Sequence, residues 1–241
     1  MRYLVTLSYR GTAYWGWQKQ VDAKTIQGEI ERVLSTYFNT KVAIQGSGRT
    51  DRAVHALGQT FHFDAIKTDQ KKLLYALNKM LPEDINLLRI KRVSNDFHAR
   101  YNVKEKVYRY IISTRAKEPL FSDLKLFYPY WLDENKFRLA LAKFVGVHNY
   151  QSFTSKPSDD AGFVREIFDI RIKKSKGEYI VDFFGTGFMQ GQIRMMIGTA
   201  LALASDKIDE EYLEKRLEEP TRMITSHKVS GQGLYLIRVK Y

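Results

Sequence analysis

The chain has 241 residues, of which 44% are hydrophobic, enough for a sizeable core and against a disordered class. It has no cysteine, which excludes disulfides, thiolate metal sites and a thiol nucleophile, and no apolar run of membrane-spanning length or signal-peptide pattern. Thirty-nine Lys and Arg against 27 Asp and Glu give +12, a balance that attracts polyanions, above all nucleic acid. Residues 1–103 carry +7 and the remainder +5, so the folded body rather than a basic tail is the expected binding surface. A cytoplasmic location fits the missing cysteine.

In chain order, the first element is a strand over Arg2–Ser8, with alternating β-branched and aromatic residues. Gly11-Thr12-Ala13-Tyr14-Trp15-Gly16-Trp17-Gln18 follows as an aromatic, glycine-punctuated loop. Its Trp15 and Trp17 have two readings, core packing or stacking on unpaired bases. Thr25 suits the N-cap of a helix through Tyr37, with Ile26, Ile30, Val33, Leu34 and Tyr37 on one face. Residues 41–46 and 57–64 read as strands. Thr68 is the expected cap of a second helix that turns Leu73, Leu74, Leu77 and Leu81 inward and stops at Pro82. A strand over Ile85–Val93 closes a β-α-β-β-α-β unit, the ferredoxin-like split order.

Between the second and third strands lies Gly46-Ser47-Gly48-Arg49-Thr50-Asp51-Arg52-Ala53-Val54-His55-Ala56, too polar for a buried connection. Arg49 is close enough in sequence to hold the Asp51 carboxylate ionised, an arrangement suited to nucleophilic attack on a phosphate-bearing substrate. The same residue types also build surface turns, in which Asp51 merely caps or pairs.

Phe97-His98-Ala99-Arg100-Tyr101 marks the passage to a second half, where Val107–Ile112 reads as a strand. Asp133 caps a helix carrying Phe137, Leu141 and Phe144. Residues 164–172 and 179–184 pair around Lys173-Lys174-Ser175-Lys176-Gly177, and an apolar helix runs from about Met189 to Ala204. An acidic helix near Asp209–Glu219 and a last strand over Leu234–Val239 complete a second β-α-β-β-α-β order. The fold class expected is α+β, with two ferredoxin-like halves, 1–103 and 104–241, forming one extended mixed or antiparallel sheet with a central cleft.

Arg194 stands among Ile193, Met195, Met196 and Ile197 on the long helix, so it needs a carboxylate or phosphate partner. Asp51 is the expected partner; another acid, or snorkelling to solvent, is the alternative. Tyr108 reads either as a core strand aromatic or as a flat ring for a base. Gly185-Thr186-Gly187-Phe188-Met189-Gln190 begins like a dinucleotide fingerprint but has Gln190 in place of the glycine. The five histidines lack metal-ligand spacing, so neither a metal nor a cofactor is expected.

Gly48-Arg49-Thr50-Asp51-x-x-Val54-His55-Ala56 closely resembles the Gly-Arg-Thr-Asp-Ala-Gly-Val-His-Ala signature of the TruA family of tRNA pseudouridine synthases, at seven of nine positions. Tyr9 through Gln18, Phe97–Tyr101, Phe144–Phe153, Phe188–Gly198 and Gly233–Tyr241 resemble further family strings in the family's order. The resemblance implies a pseudouridine-synthase fold and an isomerase acting on tRNA, most directly on its anticodon stem-loop. It implies that Asp51 is the catalytic carboxylate, Arg194 keeps it ionised, and Tyr108 stacks on the target uracil with Leu234 opposite. Arg49, Thr50 and His55 are the implied substrate contacts, and a homodimer is the implied assembly. Arg52-Ala53 departs from the family's Ala-Gly; if that glycine serves a positive φ, Ala53 is strained. The alternatives are the same chemistry on ribosomal RNA or at another tRNA site, and a non-catalytic binder of structured RNA.

Overall fold

In the computed structural model, which describes residues 1–156, 162–220 and 224–241, the first strand β1 (Arg2–Tyr9) sits inside a sheet. It pairs antiparallel with β3 (His55–Asp64) on one side and β4 (Ile85–Val93) on the other. The short β2 (Gln45–Gly46) adds to β3, so β4, β1, β3 and β2 stand in the order of a split β-α-β-β-α-β unit. Two helices belong to this unit, α1 (Ile26–Phe38) and α2 (Gln70–Met80). Val5, Leu7, Ile30, Leu34, Phe61 and Leu73 are among its fully buried apolar side chains. The unit comprises Met1–Lys106 together with Tyr235–Tyr241.

Val107–Leu234 is the second unit. Its elements are β5 (Glu105–Ser113, beginning two residues before the boundary), β6 (Leu126–Phe127), α3 (Glu134–Ala142), β7 (Gly146–Asn149), β8 (Val164–Ser175), β9 (Glu178–Gly185), α4 (Gln192–Ala204) and α5 (Glu210–Glu218). The sheet order is β5-β9-β8-β7, with β6 parallel to β5. Phe137 and Leu141 of α3 are fully buried, and every residue of α4 except Arg194 is buried. A helix apolar all round must be enclosed on all sides. Among the described residues no helix is long and apolar enough to cross a membrane. The α+β class and its mixed strands are those expected from the sequence.

Several elements differ in detail. The strand expected over 41–46 shrinks to β2, because the Val42 N–H bonds Ser35 Oγ and the Ile44 N–H bonds Glu31 Oε1, both on α1. Asp69 rather than Thr68 caps α2: its carboxylate accepts from both Lys71 and Lys72 N–H, while the Thr68 N–H goes to Tyr3. Tyr37 is exposed, and its neighbour Phe38 meets Phe63 instead. Leu74 is only half-buried, and Phe144 is buried beyond the end of α3. The strands β8 and β9 run on to Ser175 and Glu178, leaving a two-residue turn in which Lys176 and Gly177 both have positive φ. Helix α4 starts at Gln192, after Gly191 at φ 75°.

The last strand, β10 (Leu234–Lys240), differs most. It was expected to belong with 104–241, yet from Tyr235 onward it lies in the first unit, parallel to β3 with Tyr235 opposite His55. The boundary expected at 103/104 falls at 106/107.

Candidate active site

The loop carrying Asp51 is held from beneath by buried polar side chains. The Ser47 N–H donates to the Thr60 carbonyl at 2.8 Å, and Ser47 Oγ donates to Gln59 Oε1 at 2.7 Å. Gln59 Nε2 donates to the Gly48 carbonyl at 3.1 Å. Ser47 and Gln59 are fully buried, so their hydrogen bonds form in a low-dielectric setting where breaking one leaves an unsatisfied group. Lys106 completes the support, with Nζ donating to the Ser47 carbonyl at 2.7 Å; burial pushes its ammonium down to about 8.

On the far side, Tyr9 and Thr50 share a 2.9 Å hydroxyl hydrogen bond, and burial pushes the Tyr9 phenol up so that it stays protonated. The Trp17 N–H donates to the Thr50 carbonyl at 3.0 Å. Gly16, at φ 98°, brings the aromatic loop against this strand end: a Cβ there would stand 2.6 Å from the Thr50 carbonyl oxygen. Asp51 itself is half-exposed. Its carbonyl accepts from the Val54 N–H at 3.2 Å, closing a turn in which Ala53 takes φ 62°. A positive φ at the third position of such a turn is where glycine is favoured.

Other residues of this loop take different places from those expected. Arg49 is exposed and forms no ion pair among the described residues, so it does not pair with Asp51. Thr50 is buried with its hydroxyl engaged by Tyr9. His55 is buried too: Nδ1 accepts from the Gly11 N–H at 3.1 Å, and the ring stacks on Tyr235 at 4.7 Å. Thr50 and His55 thus shape the loop from inside. Trp17 is core, packed against Tyr9 and Phe61, whereas Trp15 is 54% exposed.

In the second unit, Arg194 lies in the first turn of α4, half-buried. Its Nε donates to the Val229 carbonyl at 2.8 Å, and its own carbonyl accepts from the Val229 N–H at 3.2 Å. Gly198, one turn on, lets the same segment close on the helix, since a Cβ there would stand 2.3 Å from the His227 carbonyl oxygen. Tyr110 on β5 donates to the Ser230 carbonyl at 2.8 Å; burial pushes its phenol up, and the nearby Arg194 charge opposes the shift. The Ile111 N–H donates to the Gly233 carbonyl at 2.9 Å. Residues 229–234 thus bridge α4 to β5, tying the Arg194 segment to Tyr110 and Ile111 of the strand that also carries Tyr108. Tyr108 is buried with Phe188 edge-on at 5.3 Å, and Leu234 is buried.

Sequence reasoning missed Lys106. A lysine at the start of a strand carries no signal that it reaches a loop residue 59 positions earlier.

Comparison with known proteins settles the family. A family model described as tRNA pseudouridine synthase matches residues 6–102 and 140–241. The chain belongs to the tRNA pseudouridine synthase family. It is 36% identical to a tRNA pseudouridine synthase A of Streptococcus uberis, across all of this chain and 98% of that one. It is likewise 36% identical to one from Streptococcus thermophilus, across all of this chain and 99% of that one. A Bacillus cereus protein, tRNA pseudouridine synthase A 1, is 36% identical across 98% and 97% of the two chains. Among solved structures, a chain of a Cbf5-Nop10-Gar1 complex covers 82% of this chain at 11% identity and a TM-score of 0.36, a likeness too low to identify a relative.

Proposed function

We propose that this member of the tRNA pseudouridine synthase family isomerises uridine to pseudouridine in tRNA, most directly in the anticodon stem-loop. Uracil leaves C1′ of its ribose through N1, turns, and rejoins the same carbon through C5; C5 gives up its proton and N1 takes one up, so nothing is hydrolysed and no electrons leave the substrate. The observation that carries the reading is the Asp51 turn. A half-exposed carboxylate on the family string stands on a scaffold of buried hydrogen bonds from Ser47, Gln59, Thr50 and Lys106. A positioned, water-accessible carboxylate can act as nucleophile or base.

In this reading Arg194 keeps Asp51 ionised, consistent with a guanidinium whose Nε is already fixed by Val229. Tyr108 supplies the ring face for the extruded uracil and Leu234 the opposite wall. Arg49, exposed and without an acidic partner, meets the RNA where the nucleotide leaves its stack. The enzyme works as a homodimer in the cytoplasm, and its +12 charge supplies the general attraction for RNA. Pseudouridine mapping of total RNA from cells with and without this protein tests the proposal. Loss of modification at tRNA uridines is expected; an unchanged map would contradict it.

A further inference from the structure

One feature beside Asp51 is not explained by the support of the loop. Trp15 is 54% exposed in a segment whose other rings, Tyr14 and Trp17, are almost wholly buried. The Arg52 guanidinium lies over its indole, 4.0 Å from the ring centroid. Both residues occupy positions at which the family strings leave freedom or read otherwise: Trp15 is the open position before Gly-Trp-Gln, and Arg52 replaces alanine.

The pair is rigidly mounted. The Trp15 N–H donates to the Lys24 carbonyl at 2.9 Å, and Trp17 N–H bonds the Thr50 carbonyl at 3.0 Å. The Ala53 N–H reaches the Tyr14 carbonyl at 3.5 Å, so the backbones of 14–17 and 50–53 are tied at both ends. Arg52 meets no acidic side chain among the described residues. Its face is used by the indole, while its N–H edges remain for an anion.

The geometry points to a nucleotide-binding platform formed by Trp15 and Arg52, which takes an unpaired nucleotide of the RNA next to the target uridine. The base stacks on the indole face that Arg52 does not cover, and the phosphate meets the guanidinium edge. Aromatic faces accept any base, and an arginine already stacked is preorganised for phosphate. The inference rests on the synthase reading of Asp51 and adds to it a residue pair particular to this chain. It also gives a purpose to Arg52, which sits one position past Asp51 on the same turn.

The test uses the full-length protein with an in-vitro-transcribed tRNA, measuring pseudouridine formation and equilibrium affinity separately. Trp15→Ala should raise Kd by roughly 5- to 150-fold, the range of one lost base stack, and Arg52→Ala should raise it through the lost phosphate contact. Trp15→Tyr should recover most of that loss, because the ring face returns. Arg52→Ala alone should flatten the slope of log affinity against log salt by about one phosphate's worth. If the parent protein forms no pseudouridine, the synthase reading fails. If the parent is active but both alanine variants bind as it does, the platform is wrong. A loss in Trp15→Ala that Trp15→Tyr does not recover, or an unchanged salt slope in Arg52→Ala, would overturn it as well.

Discussion

Ala53 shows how tightly the Asp51 turn is specified. Its φ of 62° costs an L-residue about 1–2 kcal/mol, and glycine is free of that cost but gains freedom when unfolded. Ala53→Gly should therefore raise the unfolding free energy by about 0.5–1 kcal/mol in a denaturant titration; a decrease would show that the turn is not strained. His62 supplies a pH dependence. Its Nδ1 accepts from the Ala99 N–H at 3.1 Å, and burial, aided by the Arg2 charge, pushes the imidazole down to about 4. The unfolded chain takes up this proton near pH 6.5 and the folded chain only near pH 4, so stability falls as pH drops through that window. A His62→Gln variant should show a shallower loss of stability between pH 7 and pH 4.5; an equal loss would assign the effect elsewhere. At this scale the sequence was partly legible. The turn around Asp51 was marked by its string, and the positive φ at Ala53 by the missing glycine. Trp15 and Trp17 could not be told apart, because which ring turns inward depends on the φ of Gly16 between them.

Among the elements, α4 and the segment 227–234 form the structural base for Arg194. Gly198 is the contact point. Gly198→Ala would force a methyl to within 2.3 Å of the His227 carbonyl oxygen, so either helix or segment must shift. Overpacking of this kind costs about 1–3 kcal/mol. The variant should lose thermal stability together with activity, since Val229 carries the Arg194 contact; full activity at parental stability would mean the segment is loosely held. The long amphipathic elements were readable because their periodicity is set by which face is buried. The strand expected over 41–46 was not, because the Val42 and Ile44 N–H groups go to Ser35 and Glu31 of α1 rather than to a neighbouring strand. The four-residue β7 was too short to show a period. The passage of β10 into the first unit is a matter of pairing with β3, which no local pattern in residues 234–240 records.

For the whole molecule, the charge and the chemistry separate cleanly. The +12 excess is shared along the chain, so the general attraction expected for RNA is spread over the folded body rather than set by Asp51. Turnover is different: in the proposed function it rests on one carboxylate, Asp51. The most direct measurement therefore compares the parent with Asp51→Ala on an in-vitro-transcribed tRNA, recording pseudouridine formed and RNA affinity on the same preparations. The variant is expected to form no pseudouridine while its Kd stays within about threefold of the parent, since neutralising one acid leaves the basic surface intact. Pseudouridine formed by Asp51→Ala at a rate comparable to the parent would contradict it.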